Sequence, residues 1–82
     1  MQKASGRVRV DLAAFGRRVR ELRGFDMTQA ELARRIGVTQ GYLSALEHGR
    51  KEPGAGVLLA ISQEFKKSID WLLTGHRHSS KE

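Results

Sequence analysis

Thr28-Gln29-Ala30-Glu31-Leu32-Ala33-Arg34-Arg35-Ile36-Gly37-Val38-Thr39-Gln40-Gly41-Tyr42-Leu43-Ser44-Ala45-Leu46-Glu47-His48-Gly49 holds two helix starts and two helix stops in 22 residues. Thr28 is followed three positions later by Glu31. At that spacing a Thr hydroxyl and a Glu carboxylate each satisfy a backbone N–H that the first helical turn leaves without a partner. Leu32, Ala33 and Ile36 then share one face, and Gly37, free to adopt positive φ, stops the helix. Val38 and Thr39 follow before the pattern restarts; Thr39 caps a second helix that turns Leu43 and Leu46 inward beside Val38 and stops at Gly49. Two short helices joined through a glycine turn form a corner that can place the second helix in the major groove of DNA.

The helical period extends outward from this corner in both directions. No stretch alternates apolar and polar residues long enough to make a strand, so the fold class is all-α with five helices. Upstream, Asp11 caps a helix whose Leu12, Phe15, Val19 and Leu22 form one stripe, and Gly24 ends it. Downstream of Arg50-Lys51-Glu52-Pro53, a fourth helix carries Val57, Leu58, Ile61 and Phe65, its start weakened by Gly54 and Gly56. Ser68 caps a fifth helix, with Asp70 in its first turn, Ile69, Leu72 and Leu73 as anchors, and Gly75 as its stop. The expected organisation is a flexible basic arm over 1–10, one helical domain over 11–75 and a disordered polar tail over 76–82.

A chain of 82 residues builds one small core, and 39% hydrophobic with 29% charged residues is the composition of an ordinary soluble globular chain. Without cysteine, disulfides and thiolate metal sites are impossible. The longest apolar run, Val57 to Ile61, is far short of the roughly 20 residues of a membrane span. The expected location is the cytoplasm of a bacterium, for a host- or phage-encoded protein associated with the nucleoid. Three histidines, His48, His76 and His78, support neither a catalytic triad nor a closed metal site, so no enzyme, metal or cofactor is expected. The net charge of +6 is uneven: residues 1–24 carry +5, residues 25–49 carry −1 and residues 50–82 carry +2. Such an excess suits either a polyanionic partner or a solvated surface that keeps a small protein soluble.

The string from Thr28 to Gly49, continued by Pro53 and by Ser68-Ile69-Asp70-Trp71-Leu72-Leu73-Thr74-Gly75, resembles the phage repressor and Cro-like (Xre-type) helix-turn-helix family over roughly residues 12–75. The resemblance implies a five-helix DNA-binding domain whose third helix reads the groove, usually in a symmetric dimer on a palindromic operator. It places base reading at Gln40, Gly41, Ser44 and Ala45, and a phosphate contact at Gln29. Three joins depart from the family pattern: the connection Gly24-Phe25-Asp26-Met27 is about one residue shorter, Gly54 and Gly56 replace a better helix start, and Lys66 stands where glycine is common. Phe25 and Met27 are candidates for covering the core locally.

With Leu43 and Leu46 inward, the helical period itself puts Gly41, Ser44, Ala45 and His48 outward, with Gln40 and Tyr42 at the edges. These side chains are short enough for close approach to a groove floor. Glutamine bonds an adenine edge bidentately, serine bonds either base type and alanine meets a thymine methyl. Thr39, Tyr42, Arg50 and Lys51 are candidate backbone contacts, giving affinity without sequence information. Arg7 and Arg9 fit a minor-groove arm or a disordered tail, Arg34 and Arg35 fit phosphate or water, and Arg17, Arg18 and Arg20 are left for solvent or DNA. Arg23 and Glu47 each border an apolar stripe, and charges so placed are costly unless paired, so they are expected to form a structural ion pair.

These readings converge on a sequence-specific transcriptional regulator, a repressor acting as a homodimer on double-stranded DNA. The dimer surface is expected near Trp71 and Leu72, although a tryptophan so placed is more often core than interface. The alternative is an antitoxin or other protein-binding module, with a toxin as partner of the same helical domain. Generic coating of nucleic acid is a third reading, distinguished by salt-sensitive binding indifferent to sequence.

Overall fold

The computed structural model describes residues 9–76. Nearly all of the expected basic arm, with Lys3 and Arg7, and the tail from residue 77 lie outside the described residues. The chain forms α1 (Leu12–Arg23), α2 (Gln29–Ile36), α3 (Gln40–Glu47), α4 (Ala55–Phe65) and α5 (Ile69–Thr74), with no strand among the described residues. Four of the five starts are capped by a side chain of the residue just before the helix. Asp11 accepts from the Ala14 N–H at 3.1 Å, Thr28 from Glu31 at 3.0 Å, Thr39 from Tyr42 at 3.1 Å and Ser68 from Trp71 at 3.0 Å. Each cap is worth about 1 kcal/mol. At α4 the cap is Gly54, which has no side chain to offer. The capping box at Thr28 is half made, because the Glu31 carboxylate turns to Arg35 Nη2, 3.0 Å away.

The principal helix contacts run in a ring, α1 on α3, α3 on α2, α2 on α4, α4 on α5 and α5 back on α1. Every helix sends at least one side chain into the centre: Phe15 and Val19, Leu32, Ala33 and Ile36, Leu43 and Leu46, Ile61, and Leu72. The α1–α3 crossing is a close one. A Cβ on Gly16 would lie 2.4 Å from the Leu46 carbonyl oxygen and 2.5 Å from that of Glu47, so the two backbones meet where no larger residue fits.

Several expectations are corrected. Phe25 does not cover the core; it stands fully exposed in the α1–α2 connection, while Met27 packs on the core. Arg18 is not left for solvent or DNA. It is half-buried and its Nη1 donates to the Leu72 carbonyl at 2.9 Å, in the last turn of α5 where carbonyls lack helical partners. Leu72 is wholly buried and is no part of a dimer surface; the large apolar side chains exposed on α4 and α5 are Leu59 and Ile69. Lys66 ends α4 with φ 55°, the left-handed conformation that accounts for glycine being common at this join.

Candidate nucleic-acid interface

The turn between α2 and α3 fixes the geometry of the surface. Gly37 adopts φ 80° and ψ 31°, and the Val38 N–H closes on the Ala33 carbonyl at 2.9 Å, so only three residues, 37–39, separate α2 from α3. Thr39 uses its oxygen to accept from Tyr42, which leaves the hydroxyl hydrogen able to donate outward. On α3, Leu43 and Leu46 are buried, Gln40 and Gly41 are exposed, and Ser44 and Ala45 are half-buried. A Cβ on Gly41 would meet nothing within 4 Å. The outer side of the first turn of α3 is therefore not packed beneath another described segment.

Residues from neighbouring elements frame this surface. Tyr42 packs partly on the core and its hydroxyl accepts from the Gly54 N–H at 3.5 Å, while Lys51 Nζ stands 5.8 Å from its ring centre. Arg50 and Lys51 are exposed in the connection after α3. His48 ends α3, and its Nδ1 lies 2.8 Å from the Ser44 carbonyl, which can only accept, so Nδ1 carries the proton. Of the charges left open between phosphate and water, Arg35 bridges Glu31 at 3.0 Å and Glu64 at 2.8 Å, tying α2 to α4; Arg34 is exposed.

Beneath the surface lies a polar cluster. Arg23 Nε donates to Glu47 Oε2 at 2.7 Å and Nη2 to Oε1 at 2.8 Å, a bidentate pair, while Nη1 donates to the Met27 carbonyl at 3.2 Å. The Glu47 side chain is 1% exposed. Burial works to raise its carboxyl, but the hydrogen bonds from Arg23 and Gln29, with the charges of Arg23 and Arg20, outweigh it and hold the group below its ordinary 4.5. Gln29, expected at a phosphate contact, is half-buried and its side chain is bonded within the protein on both sides. Its Nε2 donates to Glu47 Oε1 at 2.9 Å and its Oε1 accepts from Gln40 Nε2 at 3.4 Å. Neither link has a sequence signature, since positions 29, 40 and 47 meet only through the corner. Among the described residues no group of histidines, aspartates and glutamates could hold a metal ion, and no helix is long and apolar enough to cross a membrane.

Comparison with known proteins places this geometry in a family. The family model described as helix-turn-helix matches residues 17–72. A protein from Archaeoglobus fulgidus named as an HTH-type transcriptional regulator is 37% identical over 54 residues, covering 65% of this chain and 76% of the relative. The P22 c2 repressor, solved in complex with a synthetic operator, is similar with a TM-score of 0.71 and 35% identity over 76% of this chain and 96% of its own. The restriction-modification controller protein C.AhdI from Aeromonas hydrophila gives a TM-score of 0.69 at 28% identity, over 77% of this chain and 97% of its own. These relatives are regulators, not enzymes. The chain belongs to the phage-repressor-like (Xre-type) helix-turn-helix family of transcriptional regulators.

Proposed function

We propose that this protein is a sequence-specific double-stranded DNA-binding repressor that acts as a homodimer on a palindromic operator, with residues 11–75 as the binding unit. The observation that carries the proposal is the uncovered first turn of α3, where Gln40 and Gly41 stand exposed while Leu43 and Leu46 of the same helix are buried. With α3 in the major groove, Gln40, Gly41, Ser44 and Ala45 meet base edges. Gln40 bonds adenine, Ser44 bonds either base type and Ala45 meets a thymine methyl. With no Arg or Lys on this face, readout is sparse and leans on duplex shape as well.

Affinity comes from the rim. The backbone N–H groups at the start of α2, beside Gln29, meet one phosphate, helped by the positive end of the helix dipole. Thr39, Tyr42, Arg50 and Lys51 supply others. A palindromic operator requires the α3 helices of two protomers to lie roughly 34 Å apart, one turn of duplex; the exposed Leu59 and Ile69 offer apolar surface for joining the protomers.

Selection of bound fragments from random duplex DNA tests the reading. A recovered palindrome whose binding is weakened about ten-fold by Gln40→Ala, and less by Ser44→Ala, supports it. Salt-sensitive binding with no recovered sequence refutes it in favour of generic coating, and stoichiometric capture of a protein partner without DNA binding refutes it in favour of the protein-binding module. Sedimentation as a monomer at high concentration removes the dimer.

A further inference from the structure

The outward stripe of α3, with Gly41, Ser44 and Ala45, is completed by His48 at the end of the helix. At 1.5 Å of rise per residue, His48 stands roughly 10 Å along the axis from Gly41, close to the major-groove width of about 12 Å. With the first turn of α3 at the base edges, the far end of the helix meets the wall of the groove, made of sugar and phosphate. His48 is exposed, and its ring is held by one bond, from Nδ1 to the Ser44 carbonyl at 2.8 Å. That carbonyl only accepts, so Nδ1 keeps its hydrogen and Nε2 of the neutral ring is a bare acceptor. A phosphate oxygen also only accepts. The neutral ring cannot bond it, and the opposite tautomer sets Nδ1 against the Ser44 carbonyl. Protonation removes the conflict: the imidazolium donates from Nδ1 to Ser44 and from Nε2 to the phosphate, and its charge suits the negative end of the α3 dipole.

We infer that His48 is a phosphate-binding residue that works only as the imidazolium, so that operator binding takes up a proton from solvent. The inference rests on the operator-binding function proposed above. Imidazole changes charge between about pH 5 and pH 8, where surface carboxylates, lysines and arginines keep theirs. Glu47, beside His48 in the chain, is turned inward; against its burial, hydrogen bonds from Arg23 and Gln29 hold it below its ordinary 4.5, so it stays ionised across that range. Gly49 rests on the backbone of Leu12 and Ala13. The charged side chains of the neighbouring elements are therefore Arg9, Asp11 and Arg17 around the start of α1, with Arg50, Lys51 and Glu52 in the connection after α3. Among the described residues none of these forms an ion pair with His48. A phosphate facing Nε2 favours the charged ring over the neutral one, and the proton is bound as the complex forms.

The test measures affinity for the operator recovered by selection from pH 8 to pH 5.5 at constant salt. Wild-type affinity is expected to rise about ten-fold on acidification, the worth of one charge-assisted hydrogen bond. Calorimetry at pH 7.5 in two buffers of different ionisation enthalpy is expected to register proton uptake on binding. His48→Gln, which cannot titrate, is expected to bind equally at both ends of the range. His48→Arg, charged throughout, is expected to bind at pH 8 about as tightly as the wild type does at pH 5.5. Replacing the other two histidines together, His76→Gln with His78→Gln, is expected to leave the wild-type dependence in place. A dependence that survives in His48→Gln, or a wild type that binds the operator equally at pH 8 and pH 5.5, overturns the inference and leaves the operator reading intact. Failure to select any sequence at either pH overturns both.

Discussion

On its inner side α3 presents Leu43 and Leu46 with no solvent exposure and Glu47 at 3%, against an α1 backbone that leaves no room for a Cβ at Gly16. On its outer side, within the same eight residues, Gly41 has open space around it and Gln40 is exposed, its side chain bonded to Gln29. The inner side holds the helix in one position by shape and by a charge pair; the outer side is open at its first turn and half-covered at Ser44 and Ala45. A reading helix gains from both, because a side chain aimed at a base edge is only as well placed as the backbone beneath it.

That contrast can be broken most severely at Gly16. Gly16→Ala puts a methyl group where the Leu46 and Glu47 carbonyls already stand, and forcing α1 from α3 is expected to cost about 3 kcal/mol, read as a large drop in the urea midpoint. A midpoint within error of the wild type would show that the helices part without penalty.

Removing the buried acceptor comes next. Glu47→Ala leaves the Arg23 guanidinium and the Gln29 amide without their shared partner, for an expected loss of about 3 kcal/mol or slightly less. The same carboxylate gives the fold an acid limb. Its folded value lies below the ordinary 4.5, so its contribution is complete above about pH 4.5 and is lost as pH falls through the lower folded value. Stability measured from pH 6 down to pH 2 should therefore fall less steeply in Glu47→Gln than in the wild type; parallel curves would remove the linkage.

The outer side should respond in the opposite sense. Gly41→Ala meets no obstruction and replaces a poor helix former, so it is expected to stabilise the fold by up to about 1 kcal/mol while altering operator affinity. A stabilised variant with unchanged binding to every sequence would place Gly41 outside the DNA contact.

Much of the architecture was legible because its signals are local. The caps at Asp11, Thr28, Thr39 and Ser68 and the stops at Gly24, Gly37 and Gly75 are set by hydrogen bonds within four residues, and all stand at their helix ends. The spacing of apolar residues on α1, α2 and α3 likewise identified which faces turn inward. Pairings between distant positions were harder to see. Arg23 and Glu47 could be matched because two charges bordering apolar stripes each need a partner, whereas nothing near Arg18 in sequence points to the Leu72 carbonyl, 54 positions away. Phe25 gives no local signal either: an aromatic residue beside a helix end suggests burial, yet it stands fully exposed.

The sequence by itself determined five helices, their ends and the corner between α2 and α3, because capping, glycine conformation and helical periodicity act over one or two turns and need no distant partner. Tertiary structure alone decided that Gly16 is a contact between backbones, that Arg18 closes the end of α5 and that Gln29 links a buried carboxylate to the exposed Gln40 amide. Those facts depend on how helices cross, and a crossing is set by the packing of all five together.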